Sequence, residues 1–204
     1  MLQSGSVDPL VVPFLTYALV TTFTPGPNNI AATTVGMRLG YRRTLRYLLG
    51  MAAGFVLIML AAGLLTDLAG RLYQGVVPWL KWIGVIYMTW LVVSLFLPAR
   101  HGGEGRAPRD ARFLDGVLLQ IVNPKVILYG ITIYSSFHVL LSGTTTLLVV
   151  SALLLALLGF ISVSLWALTG ATFSRLLKSA SARLVFTIAM ALLLAYSAVE
   201  IALH

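Results

Sequence analysis

The chain alternates long apolar runs with short polar clusters. Six apolar segments stand out, near 9–37, 45–66, 76–97, 113–138, 145–171 and 183–203. Each has about 20 residues or more, the length that crosses roughly 30 Å of hydrocarbon as a helix. The first and fourth are over-long, as expected if each unwinds in its middle. The first contains Thr24-Pro25-Gly26-Pro27-Asn28-Asn29, and the fourth contains Asn123-Pro124-Lys125. Each proline removes a backbone donor and clashes with the preceding turn. In hydrocarbon, an unpaired peptide group costs several kcal/mol unless protein or cavity water satisfies it. Each break therefore either borders a polar site or is healed as a kink by neighbouring helices.

The pattern predicts an all-α polytopic membrane protein of six transmembrane helices, with helices 1 and 4 broken mid-membrane. Residues 1–98 form a first three-helix repeat, 99–112 a cytoplasmic linker loop, and 113–204 a second repeat. The linker carries His101-Gly102-Gly103-Glu104-Gly105 and Pro108, a flexible composition. Three spans per half makes the second repeat inverted relative to the first. Faint internal matches support this: Phe14-Leu15 and Phe113-Leu114 each precede their proline by eleven residues, and Leu19 pairs with Leu118. Pro27 lies eleven residues from Arg38, and Pro124 twelve from Arg112. At about 1.5 Å per residue, both breaks sit roughly 15–18 Å from the same face.

Charge settles which face that is. Arg38, Arg42, Arg43 and Arg46 follow span 1. Arg100, Arg106, Arg109 and Arg112 follow span 3, and Arg175, Lys178 and Arg183 follow span 5. The other side has only Arg71, with Lys81 near the start of span 3. The positive-inside rule puts the arginine-rich loops in the cytoplasm and both termini outside. That asymmetry also accounts for the net charge of +8 without any nucleic-acid partner. Met1 to Asp8 lacks a basic leader region, so the first run is expected to persist as a span. The chain is 59% hydrophobic and 10% charged, far below the roughly 25% charge of soluble domains.

Several chemistries are disfavoured. With no cysteine, a dithiol relay is ruled out. No His lies deep in a span, and His101, His138 and His204 do not form a metal site. No nucleophile–base pair marks an intramembrane enzyme, and no cofactor is expected. Asp115 and Glu200 lie near helix ends. Trp79, Trp82 and Trp90 include interface anchors. Gly36-x-x-x-Gly40 and Gly50-x-x-x-Gly54 suit close helix contact within the fold, with a homodimer seam as the alternative.

These residues resemble the LysE-type amino-acid exporter family, also called the RhtB family. The resemblance rests on Thr24-Pro25-Gly26-Pro27-Asn28-Asn29, on Gln120-Ile121-Val122-Asn123-Pro124-Lys125, and on Gly36, Gly40, Gly50 and Gly54. Gly84 with Tyr87, and Trp166, Gly170 and Arg175, fit its third and fifth spans. Thr44 stands where many members have glycine. Asn28-Asn29-Ile30, Ile127-Leu128-Tyr129-Gly130 and Ala191-Leu192-Leu193-Leu194 are most similar to the cysteine/O-acetylserine exporter branch. The resemblance implies a secondary transporter of the bacterial inner membrane. It implies export of a small neutral amino acid or derivative by proton antiport, with amino acid, protons and the lipid bilayer as partners. Threonine, homoserine, leucine, lysine or arginine are alternative substrates, and a passive channel is a further alternative.

A broken helix offers complementary ends to a zwitterion. New N-termini near Asn28, Asn29 and Val126 present amides and partial positive charge. New C-termini near Phe23-Thr24 and Val122-Asn123 present carbonyls. The candidate substrate site is thus Thr24, Pro25, Gly26, Pro27, Asn28, Asn29, Gln120, Asn123, Pro124 and Lys125. Amides with Lys125 would hold the carboxylate, and carbonyls with Thr24, Asn123 and Gln120 the ammonium. Lys125 and Asp115 are the candidates for proton coupling.

Overall fold

Proline decides where the helices stop. The computed structural model describes residues 9–65, 77–96, 111–176 and 180–203, and every regular element among them is an α-helix. In order these are α1 (Val11–Phe23), α2 (Pro27–Leu39), α3 (Tyr41–Leu64), α4 (Val77–Phe96), α5 (Phe113–Val122), α6 (Pro124–Ser136), α7 (His138–Leu141), α8 (Thr145–Leu176) and α9 (Ala180–Leu203). Both expected breaks are present, one between α1 and α2, the other between α5 and α6. A residue before proline is pushed out of the helical region, and Thr24 (ψ 130°) and Asn123 (ψ 105°) are both extended. Pro27 and Pro124 then open the next helix as its first residue, where a missing N–H costs nothing.

The α5–α6 pair bends by 64° and has the length and composition of a broken span or a re-entrant loop, beside α3 and α8, which are each long and apolar enough to cross by themselves. The linker 99–110, with Arg100, His101, Arg106 and Arg109, lies outside the described residues. So do Arg71, Lys178 and His204, and the side chains of Lys81, Arg175, Arg183 and Glu200.

Helices from early in the chain pack on helices from late in it. α2 packs on α8, α3 on α5 and α8, and α4 on α9. Glycine sets two of these contacts. A Cβ on Gly36 would lie 2.3 Å from the Ala167 carbonyl oxygen, and one on Gly170 would lie 2.1 Å from that of Thr33. Gly50 and Gly116 meet the backbones of Phe113 and Tyr47 in the same reciprocal way. Small residues let helices approach to backbone contact. Gly40, at φ 73°, is the single residue joining α2 to α3. Thr44, the departure noted above, turns its hydroxyl back to the Gly40 carbonyl at 2.9 Å.

Two apolar clusters result. One gathers Phe55, Met59, Val126, Tyr129, Ile133 and Tyr134; the other gathers Tyr47, Leu48, Met51, Val163 and Ala167. The outward faces remain apolar: on α8 alone, Leu153, Leu154, Leu157, Ile161, Leu165 and Leu168 are exposed. A contiguous run of exposed leucines and isoleucine of this kind marks a membrane-facing or partner-facing surface.

Candidate functional site

The two breaks meet between the clusters. From α2, the Asn28 amide donates to Gln120 Oε1 at 2.6 Å, and Asn28 Oδ1 accepts from the Asn123 amide at 2.7 Å. Gln120 passes the chain on, donating to the Met51 carbonyl of α3 at 2.9 Å. Gly54 makes room for it, since a Cβ there would sit 2.9 Å from Gln120 Cβ. Gln120 and Asn123 are buried at 3% and 1% exposure. In that setting an unpaired amide is costly, so the chain of amides fixes the relative position of the breaks.

Lys125 crosses from the second break to the first. Its Nζ donates to the Thr24 carbonyl at 3.0 Å and to the Pro25 carbonyl at 3.4 Å. These are the oxygens freed where α1 ends. Gly26 allows the approach: a Cβ there would stand 3.1 Å from Nζ. The extended Gly26 (φ −164°) caps α2, so the amides of Asn28 and Asn29 belong to its unpaired first turn.

Asn29 faces its own break. Its amide donates to the Thr24 carbonyl at 3.1 Å and reaches that of Thr22 at 3.5 Å. The Thr24 hydroxyl folds back to the Val20 carbonyl at 2.6 Å. One expectation is corrected at the second break. The Val126 amide is not open to a ligand, because it donates to the Asn123 carbonyl at 3.1 Å. The Lys125 amide is likewise taken by Asn123 Oδ1 at 3.0 Å. Asparagine at the cap satisfies this turn from within, leaving only the first break to supply amides.

Thr24, Gly26, Pro27, Asn28, Asn29, Gln120, Asn123 and Lys125 all line one cavity of about 50 Å³. A water needs ~10–15 Å³ by this measure, so the space suits a few waters, and an amino acid requires it to widen. Pro25 reaches the site through its carbonyl, and Pro124 is buried behind it. Asp115 is not brought in. It sits exposed on the first turn of α5, accepting from the Arg112 amide at 3.0 Å, about 12 Å along the helix from Asn123.

Other residues of the wall were not among the expected site residues: Thr21, Thr22, Met51, Phe55, Phe160 and Tyr129, which the sequence marked only within a motif of resemblance. The hint available was hydroxyls inside apolar runs. Ser162 on α8 donates to the Thr22 carbonyl at 3.0 Å, and Thr33 reaches across to the Trp166 carbonyl at 3.2 Å.

A cavity where the polar groups of two interrupted helices converge, in a chain with an apolar outer surface among its described residues, is a construction that suits an integral membrane transporter. The comparisons with known proteins agree. The chain belongs to the LysE family, whose "LysE type translocator" model matches residues 19–204. It is 38% identical over 193 residues to a cysteine/O-acetylserine efflux protein of Salmonella typhimurium, covering 94% of this chain and 97% of that one. The protein of the same description from Escherichia coli K12 is 38% identical over 194 residues, with the same coverage. No solved structure matches.

Proposed function

We propose that this protein exports a small neutral amino acid or derivative, of the cysteine or O-acetylserine kind, in exchange for protons. The relatives' descriptions support the substrate class. One observation carries the exchange: the carbonyls of Thr24 and Pro25 hold the Lys125 ammonium. A substrate's ammonium needs the same oxygens. The site accommodates one cation or the other, which is the rule an antiporter obeys.

The cycle follows. Lys125, protonated from outside, occupies the carbonyls. On the cytoplasmic side it gives up that proton, and the substrate ammonium takes its place. The carboxylate binds the first-turn amides of Asn28 and Asn29, where the helix dipole is favourable, and the neutral Lys125 amine remains a donor to it. Asn28, Gln120 and Asn123 exchange partners as the cavity widens. Outside, the substrate leaves and Lys125 regains a proton. A net-neutral zwitterion draws nothing from the membrane potential, while each inward proton supplies about 2.3 kcal/mol per 100 mV.

The six apolar segments cross the inner membrane in this scheme, with residues 1–98 and 113–204 as inverted halves. The 99–112 linker is cytoplasmic and both termini are outside. Proton flux in proteoliposomes is the test. Substrate outflow should drive stoichiometric proton inflow in the wild type, and efflux indifferent to the proton gradient refutes the coupling.

A further inference from the structure

The side-chain amides of the cavity are engaged with one another or with carbonyls, whereas the hydroxyl of Tyr129 is not. Its side chain lines the cavity, its exposure is 4%, and its hydroxyl has no hydrogen-bond partner among the described residues. Thr22 reaches toward that hydroxyl outside hydrogen-bond geometry. Buried polar groups are nearly always satisfied, and an exception asks for an explanation. The ring itself is held fast. Tyr17 stacks on it at 5.8 Å between centroids and 10° between planes, and Phe55 packs at 5.7 Å. A fixed ring carrying an unused hydroxyl is a preorganised contact.

Its position on α6 gives that contact a partner. Tyr129 follows Lys125 by four residues, so both lie on one face of the helix, about 6 Å apart along the axis. Both residues line the cavity, so a short amino acid held by its charged groups beside Lys125 has its side chain within one helical turn of Tyr129. We propose that Tyr129 is a specificity residue: its hydroxyl hydrogen-bonds the thiol, hydroxyl or ester oxygen of the substrate side chain. This rests on the amino-acid export reading above. Amino acids with apolar side chains of the same size leave the hydroxyl unpaired, so the site disfavours them.

Counterflow in proteoliposomes tests this with cysteine, under reducing conditions, and 2-aminobutyrate, which replaces the thiol by a methyl group. The wild type should prefer cysteine. Tyr129→Phe keeps the ring and should lower that preference about tenfold, the worth of one buried hydrogen bond, while 2-aminobutyrate exchange persists. Tyr134→Phe is the control. The Tyr134 hydroxyl is paired with Ser151 at 2.9 Å and does not line the cavity, so the preference should hold. An unchanged preference in Tyr129→Phe, or equal loss of both amino acids, overturns the role of Tyr129 alone. Absence of any amino-acid exchange by the wild type overturns the export reading, and this inference with it.

Discussion

Lys125 concentrates most of the chemistry in one side chain. Its ammonium adds a charged link, beside the amides of Asn28, Gln120 and Asn123, between breaks that lie 99 residues apart in sequence, and its carbonyl partners are peptide oxygens that have no helical acceptor role left. Lys125→Met keeps much of the stem but removes the charge and the donors. Export by this variant should fall to background, measured as substrate efflux from loaded cells, and unchanged rates and affinity would remove Lys125 from the site. Asn123 is the structural counterpart. It is buried, caps α6 through Oδ1 and donates to Asn28. Asn123→Ala removes both bonds and strands Asn28 Oδ1, at a cost of about 1–3 kcal/mol. A lowered Tm in detergent would register it.

At the scale of elements, proline made the breaks readable in the sequence. Thr24 and Asn123 are forced out of helix by the residue that follows, and that is a local effect. What each broken end does with its polar groups was not readable. Asn28 reaches Gln120 and Asn123 on another helix, whereas its neighbour Asn29 folds back onto the end of α1. The same residue type at adjacent positions serves opposite purposes, because successive helical positions point about 100° apart. The Val126 amide was expected to be open and is consumed by Asn123 for a similar reason: the cap residue of α6 is itself an asparagine. Tyr129 stood in a motif noted for its resemblance, but nothing local announced a buried, unpaired hydroxyl on a residue of the cavity wall.

The reciprocal glycine contacts belong to this scale too. Gly36→Ala and Gly170→Ala each drive a methyl group into a carbonyl of the facing helix. Backbone cannot step aside as a flexible side chain can, so each should cost about 1–3 kcal/mol or more. Gly40→Ala meets nothing within 4 Å. Its cost is the backbone alone, since φ 73° with ψ 160° lies in a region essentially reserved for glycine, at about 1–3 kcal/mol. Thermal unfolding should therefore show all three variants lowered, Gly36→Ala and Gly170→Ala through the helix seam and Gly40→Ala through the turn.

For the whole molecule, the packing of early helices on late ones bears on how access alternates. α2 and α8 come from different halves, as do α3 and α5, and α4 and α9. In the cycle proposed above, two three-helix blocks rocking as separate bodies would have to part glycine-tight seams. The broken helices offer an easier route, since α1 and α2, and α5 and α6, are joined only through short extended segments. A proton gradient directed into the cytoplasm should raise substrate accumulation outside well over tenfold at about 100 mV. A protonophore should abolish that accumulation and leave one-for-one substrate counterflow intact.

Labelling at the first break tests most directly whether substrate lies between the two interruptions. The chain has no cysteine, so Thr24→Cys supplies a unique thiol beside the carbonyl that holds Lys125. In transport-competent proteoliposomes, saturating O-acetylserine should slow its reaction with a membrane-permeant maleimide severalfold, and glycerol should not. An identical labelling rate with and without O-acetylserine, in a variant that still exports it, would contradict a binding site at the meeting point of the broken helices.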